Sequence, residues 1–198
     1  MILDPLSTRI INLDHRADRW QTVTKQMEAF GITDYNRFSA HMLPDPYMGN
    51  ARSHLECLEM GSNLIFEDDV FFEPGARSVF EQAVNELPED FHVLYLGANI
   101  EKPIRRYSEH LYKLEHAYGT NAIYYSEAGR KFVLDNYTWW SNNFEIYDVW
   151  LRRQCSLSLK AYIVSPIKTW SHGGFSDVNK NVCNYLPLMK NNAKRFML

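Results

Sequence analysis

Three adjacent carboxylates, Glu67, Asp68 and Asp69, close the apolar run Leu64-Ile65-Phe66 and open a second one, Val70-Phe71-Phe72. Neighbouring acids repel one another and are costly to take out of water. A divalent cation that prefers oxygen ligands, Mn²⁺ or Mg²⁺, would hold them together. Glu67 and Asp69 have acid-x-acid spacing, which in an extended chain turns both to the same side. The plain alternative is a solvated turn after a strand. Further along, Trp170-Ser171-His172-Gly173-Gly174-Phe175-Ser176-Asp177 places a histidine and an acid around a flexible glycine pair. His172 could complete a metal site whose other ligands are carboxylates; otherwise the segment is a turn with a capping serine. Near the start, Ile10-Ile11-Asn12-Leu13-Asp14-His15-Arg16-Ala17-Asp18-Arg19-Trp20 runs a buried strand into a charged helix start. A helix N-terminus attracts phosphate, and Arg16 and Arg19 add donors on one helix face. Here the alternative is a surface helix whose acids and arginines pair locally.

The elements that would position these residues follow from periodicity. Arg9 to Leu13 reads as a strand, and Asp14 or a neighbour opens a helix with Trp20, Val23, Met27 and Phe30 at helical spacing before Gly31. Asn36 to Ala40 is a short strand, His41 to Asn50 a loop, and Arg52 to Met60 a helix. Leu64 to Phe66 is a buried strand ending in the acids. Ala76 to Leu87 is a helix, Phe91 to Gly97 a strand, and Glu101 to Ala117 a flap or edge hairpin. Asn121 to Tyr125 is a strand, and Ser126 caps a helix reaching about Tyr137. Ile146 to Gln154 is helical, Lys160 to Val164 a strand, and the chain from Asn179 a polar tail. Strands alternating with helices imply a layered α/β sheet, in which ligands sit at the carboxyl ends of strands. The acids stand at such an end.

The 198 residues are enough for one domain with a sizeable core. A formal net charge of −3 argues against a general nucleic-acid binder. No apolar run approaches the roughly 18 residues of a membrane span, and Met-Ile-Leu-Asp-Pro-Leu has no leader pattern. Cys57, Cys155 and Cys183 show neither metal-ligand spacing nor a disulfide framework. A cytoplasmic protein without a membrane span is expected.

Four stretches, taken in order, resemble one family. Ile11-Asn12-Leu13-Asp14-His15-Arg16-Ala17-Asp18-Arg19-Trp20 is similar to the opening motif of glycosyltransferase family 25, which includes lipooligosaccharide and collagen galactosyltransferases and relatives encoded by large algal viruses. Gly49-Asn50-Ala51-Arg52-Ser53-His54-Leu55 resembles its Gly-Cys-x-x-Ser-His segment, with Asn50 in the place of cysteine. Leu64 to Val70 resembles its metal-binding strand, and Pro166 through Ser176-Asp177-Val178 more weakly matches its C-terminal segment. The resemblance implies a GT-A-like single domain over 1–198, a Rossmann-like mixed sheet flanked by helices. The donor-binding half would be about 1–100 and the acceptor half about 101–198.

The same resemblance implies a nucleotide sugar, expected to be a UDP-sugar, bound through Mn²⁺ or Mg²⁺ on Glu67, Asp69 and His172. Donor contacts fall on Asn12, Leu13, Arg16, Arg19, Ala40, Ser53 and Asp68. His54 reads as a structural histidine. Inversion at the anomeric carbon needs a base for the acceptor hydroxyl. Asp148, at a helix start in the aromatic, acid-bearing stretch Trp139 to Trp150, is the first choice and Glu145 the second. Aromatic rings beside acids suit sugars; alternatively Asp148 caps its helix and the tryptophans are core. The expected activity is transfer to a glycan or glycoprotein acceptor. The competing classes are a Mg²⁺-dependent phosphohydrolase or nuclease, which would need further acids at strand ends, and a non-catalytic carbohydrate-binding domain.

Overall fold

The computed structural model describes residues 7–102 and 104–196; the N-terminal six, read above for a leader, lie outside them. Along the chain run β1 (Thr8–Asn12), α1 (Ala17–Phe30), β2 (Asn36–Ser39), α2 (Pro46–Glu59), β3 (Leu64–Glu67), β4 (Val70–Phe72), α3 (Ala76–Glu86) and β5 (Val93–Tyr95). Next come β6 (Asn99–Ile100), β7 (Arg105–Arg106), β8 (Leu111–Lys113), β9 (Ala117–Tyr118), β10 (Ala122–Tyr125), α4 (Glu127–Asn136), α5 (Tyr147–Leu157) and β11 (Ala161–Val164). The chain closes with β12 (Thr169–Ser171), β13 (Gly174–Ser176), β14 (Asn181–Cys183) and α6 (Leu186–Arg195).

The fold is mixed α/β, with an eight-stranded sheet in the order β2-β1-β3-β10-β5-β11-β8-β7. β1 lies parallel to both β2 and β3, and β10 is inserted antiparallel between β3 and β5. The chain leaves β1 for β2 on one side and returns through α2 to β3 on the other. In an α/β sheet this reversal opens a crevice at the carboxyl ends of the two strands.

The alternation of side chains across the sheet builds two apolar layers. Ile10, Leu64, Phe66, Leu94, Ala122 and Tyr162 join Val23, Met27 and Phe30 of α1 and Phe80 of α3 on one face. Ile11, Ile65, Val93, Tyr95, Ile123 and Ile163 join Leu55 of α2, Val133 of α4 and Leu151 of α5 on the other. α1 ends as its sequence implies: Gly31 takes the left-handed conformation (φ 79°), and its N–H bonds the Glu28 carbonyl.

Several expected boundaries shift. α1 starts at Ala17, because Asp14 pairs with Arg37 at 2.8 Å and does not cap the helix. α2 starts at Pro46, not Arg52. Asp45 Oδ1 accepts the Tyr47 N–H at 2.8 Å, and proline at the first helical position needs no N–H partner. Gly49 is therefore helical. A Cβ there would meet the His41 carbonyl oxygen at 2.4 Å, so glycine is what lets the preceding loop lie on the helix. Of the flap or edge hairpin expected after β6, the structure has the edge hairpin, β7–β8, with β8 antiparallel to β11. The expected polar tail carries β14 and α6.

Candidate active site

The acids continue the alternation of β3. Phe66 faces the α1 layer, so Glu67 turns toward α2. Its Oε1 accepts from Thr120 Oγ1 (2.7 Å) and Asn50 Nδ2 (3.1 Å), and lies 2.9 Å from Nε2 of the fully buried His54. Burial would raise the Glu67 carboxyl, but the His54 hydrogen bond and the other donors outweigh it and hold the group below its ordinary range. Asp68 turns back toward α1. Its Oδ2 accepts from Asn12 Nδ2 (2.7 Å) and its Oδ1 from Arg19 Nη1 (2.8 Å). Burial pushes the Asp68 carboxyl up against these two partners.

Asp69 sits in the turn before β4. Strand β12 pairs antiparallel with β4 and brings Ser171, whose hydroxyl reaches Asp69 Oδ2 at 2.5 Å. Asp69 Oδ1 is buried with no hydrogen-bond partner. Burial first, then repulsion from Glu67, raise the Asp69 carboxyl to about 7. Within this pair the negative charge is favoured on Glu67, which has three donors, and the proton on Asp69, which has only the Ser171 hydroxyl.

The acid turn is a wall shared by two cavities, of about 350 and 450 Å³; Glu67 and Asp69 line both. The first cavity lies over the ends of β1 and β3 and carries His15, Arg19, His41, His172 and Lys180. The second lies toward α5 and is lined by Asp148 but by no Lys, Arg or His.

Of the expected donor residues, Asn12, Leu13, Arg19, Ala40, Ser53 and Asp68 line the first cavity. Several are already engaged. Asn12 Oδ1 accepts from Arg37 at 2.8 Å and 3.0 Å, and Ser53 Oγ joins the His41 N–H to the Gly49 carbonyl. Ala40 N–H bonds the Asn12 carbonyl at 3.0 Å. Arg16 is a correction: it does not line either cavity. Its guanidinium is held by Asp18 (2.8 Å), Asp177 (2.5 Å) and the Phe175 carbonyl (3.2 Å), so it fastens β13 to the start of α1. Arg19 Nη2 makes a second clamp on the Phe175 carbonyl at 2.7 Å.

The two candidate bases separate. Asp148, in the first turn of α5, lines the second cavity; burial first, then repulsion from Glu67, raise its carboxyl. Glu145 lies outside both cavities and pairs with Arg153 at 2.6 Å. The expected aromatic sugar platform is also corrected. Tyr147 and Trp150 belong to the core, and Trp139 and the exposed Trp140 line neither cavity. His54 is fully buried, with its ring 5.1 Å from that of Tyr147, its Nε2 on Glu67 and its Nδ1 without a partner. Residues without a sequence signal are Thr120, Ser171, Lys180 and Asn121, which reach the site from strand ends and the late hairpin.

Among the described residues no three His, Cys, Asp or Glu side chains gather into a metal cage, so Glu67, Asp69 and His172 do not form the expected three-ligand set. Three donors surround Glu67 Oε1, and the His172 ring is exposed, packed edge-on to Phe71 at 5.8 Å. The residues do fit a cation held more sparsely. Asp69 Oδ1 lacks a partner and His172 lines the same cavity. Mg²⁺ commonly takes one or two carboxylates and completes its shell with water and substrate phosphate.

No protein-family model matches the chain, and no curated protein does. Among solved structures it is similar to the mannose-1-phosphate geranyltransferase from Thermus thermophilus, with 11% identity and a TM-score of 0.45. The match covers 82% of this chain and 60% of that one. No helix among the described residues is long and apolar enough to cross a membrane.

Proposed function

We propose that the chain is a metal-dependent glycosyltransferase of the family 25 type, transferring a sugar from a UDP-sugar to a glycan or glycoprotein with inversion. The observation that carries this reading is the acid turn shared by two cavities, one whose acids stand beside cationic side chains and one with acids alone. A nucleotide diphosphate suits the first cavity, where Arg19 and Lys180 supply positive charge. When bound, Mn²⁺ or Mg²⁺ at Asp69 would neutralise the charge on the leaving diphosphate. Asp68, clamped by Asn12 and Arg19, fixes the turn that carries Asp69. Glu67, fixed by Thr120, Asn50 and His54, keeps its charge beside that position.

Asp148 approaches from the other side. Its raised carboxyl is better suited to take a proton from an acceptor hydroxyl than an exposed carboxylate would be. The proposed base and the proposed metal-bearing acid thus line one cavity, of about 450 Å³. The test is hydrolysis and transfer across a panel of nucleotide sugars with Mn²⁺, Mg²⁺ or excess chelator. Turnover of a UDP-sugar only with metal is expected. Turnover unchanged by chelator, or none with any nucleotide sugar, would overturn the reading.

A further inference from the structure

The last part of the chain differs in charge from everything before it. From Val178 to Leu198 the sequence holds Lys180, Lys190, Lys194 and Arg195 and no acid, although the whole chain has a formal net charge of −3. All the acids therefore precede Val178, and the charge is divided unevenly along the chain. The same region carries much of the exposed apolar surface. Phe175, Val182, Tyr185 and Leu188 are four of the nine large apolar side chains left exposed among the described residues.

Strand and helix geometry decide which way these side chains point. Phe175 and Val182 are register partners in the β13–β14 hairpin, so they stand side by side on one face. Their strand neighbours Gly174, Ser176 and Cys183 line the first cavity, so Phe175 (47% exposed) and Val182 (72% exposed) turn away from it. α6 buries Met189 and Ala193 in the core and leaves Leu188, Lys190, Lys194 and Arg195 exposed on its outer side. The acids near these elements are taken: Asp177 by Arg16 and His15, and Glu73 by Lys190 at 2.6 Å. Lys180 lines the first cavity. Lys194 and Arg195 have no acidic partner among the described residues.

Scattered exposed apolar side chains need no explanation, but several of them gathered beside unpaired cations do. An anionic bilayer offers phosphates to Lys194 and Arg195 and an apolar layer just beneath them to Phe175, Val182 and Leu188. Nucleic acid would engage the cations and leave the apolar side chains in water. The acids before Val178 would be repelled by such a bilayer, so the charge division also sets which region faces it.

We propose that the β13–β14 hairpin and α6 dock on an anionic membrane surface, with Phe175, Val182 and Leu188 entering the headgroup layer and Lys194 and Arg195 at lipid phosphates. The docking goes beyond the transferase reading and does not depend on it. One consequence does rest on that reading. Tyr185 lines both cavities and Leu188 the second, so the docked face adjoins the substrate sites and suits an acceptor carried on a lipid.

The experiment is cosedimentation with vesicles of phosphatidylcholine, alone or mixed with phosphatidylglycerol, at low and high salt. It compares the wild type with the double variants Lys194→Gln, Arg195→Gln and Phe175→Ser, Val182→Ser. The wild type should bind only the anionic vesicles and be released as salt screens the charges. Free glycerol phosphate should not compete, because it lacks the apolar layer. The charge variant should bind about tenfold or more weakly, the scale of two cations near an anionic surface, and the apolar variant about tenfold more weakly. Both should keep Tm within about 2 °C, since the changed side chains are exposed. Equal binding to neutral vesicles, competition by glycerol phosphate, full binding by either variant, or no vesicle binding would each overturn the proposal. A dimer seen by light scattering and lost in the apolar variant would assign the face to a second copy and overturn it too. The wild-type results stand whether or not a variant folds. Vesicle binding without a metal-dependent UDP effect would count against the transferase reading alone, and the reverse against the docking alone.

Discussion

The two cavities share a wall made of Asn50, Glu67, Asp69, Ser171 and part of the late hairpin region, and differ in the charged side chains that face it. The first is bounded by the ends of β1 and β3, the loop before α2 and the late hairpin β13–β14, and it holds five side chains that are cationic or can become so beside four acids, Glu67, Asp68, Asp69 and Asp177. The second is bounded by residues 118–121, the start of α5 and α6, and holds acids with no cation. Polar groups in the first are largely committed: Asn12, Ser53 and Asp68 all have protein partners. In the second, Asn121 is unpaired. The first thus offers a ligand charges of both signs, and the second only acids. Under the proposed function this difference suits the two substrates, a donor held by its phosphates and an acceptor that must be admitted and deprotonated.

The largest effect should come from the base side. Asp148→Asn should lower kcat by about 10²–10⁴-fold with little change in nucleotide binding, because a general base acts in the chemical step. Glu145→Gln should change kcat by less than about twofold, since its carboxylate pairs with Arg153 outside both cavities. Steady-state kinetics of the two variants side by side would break the assignment if their effects were reversed.

A smaller effect is expected where the hairpin is fastened. Arg16→Ala should speed backbone hydrogen exchange across 174–183 without unfolding the sheet, because Arg16 contacts Asp177 and Phe175 but not the cavities. Two hydrogen bonds at roughly 1 kcal/mol each set the scale. Nucleotide affinity should fall by about tenfold or less, through the loosened wall. Unchanged exchange in that hairpin would remove Arg16 from its positioning role.

Much of this arrangement is legible in the sequence where one element decides the outcome. The period-two burial of Leu64, Ile65 and Phe66 determines which way Glu67 and Asp68 turn, and the helical spacing of Val23, Met27 and Phe30 determines the face of α1. The start of α2 is also written there. Asp45-Pro46 is a helix-opening pair, although proline and Gly49 read more readily as loop signals. What is not legible depends on contacts distant along the chain. Arg16 looks like a phosphate ligand until Asp177, 161 residues later, is found against it. Trp139 and Trp140 look like a sugar platform until α5 turns the neighbouring Tyr147 and Trp150 into the core and leaves both outside the cavities. Asn121 has no local signature, because its lack of partners is a property of the assembled cavity.

The central claim, that the acid turn carries a nucleotide–metal site centred on Asp69, is tested most directly by the thermal shift that UDP produces with and without Mn²⁺, in wild type and Asp69→Asn. A ligand that binds only the native state stabilises it by mass action, about 2.7 kcal/mol at a hundredfold excess over Kd. The account predicts a rise in Tm that requires Mn²⁺ and disappears in Asp69→Asn. The pH dependence has a fixed sign. Asp69 keeps its proton in the fold up to about 7, so its contribution to apo stability is lost as pH rises through that value. Metal binding needs the deprotonated form, so the Mn²⁺-dependent shift should be larger at pH 8 than at pH 6. A UDP shift of equal size without Mn²⁺, or one retained in Asp69→Asn, would contradict the account.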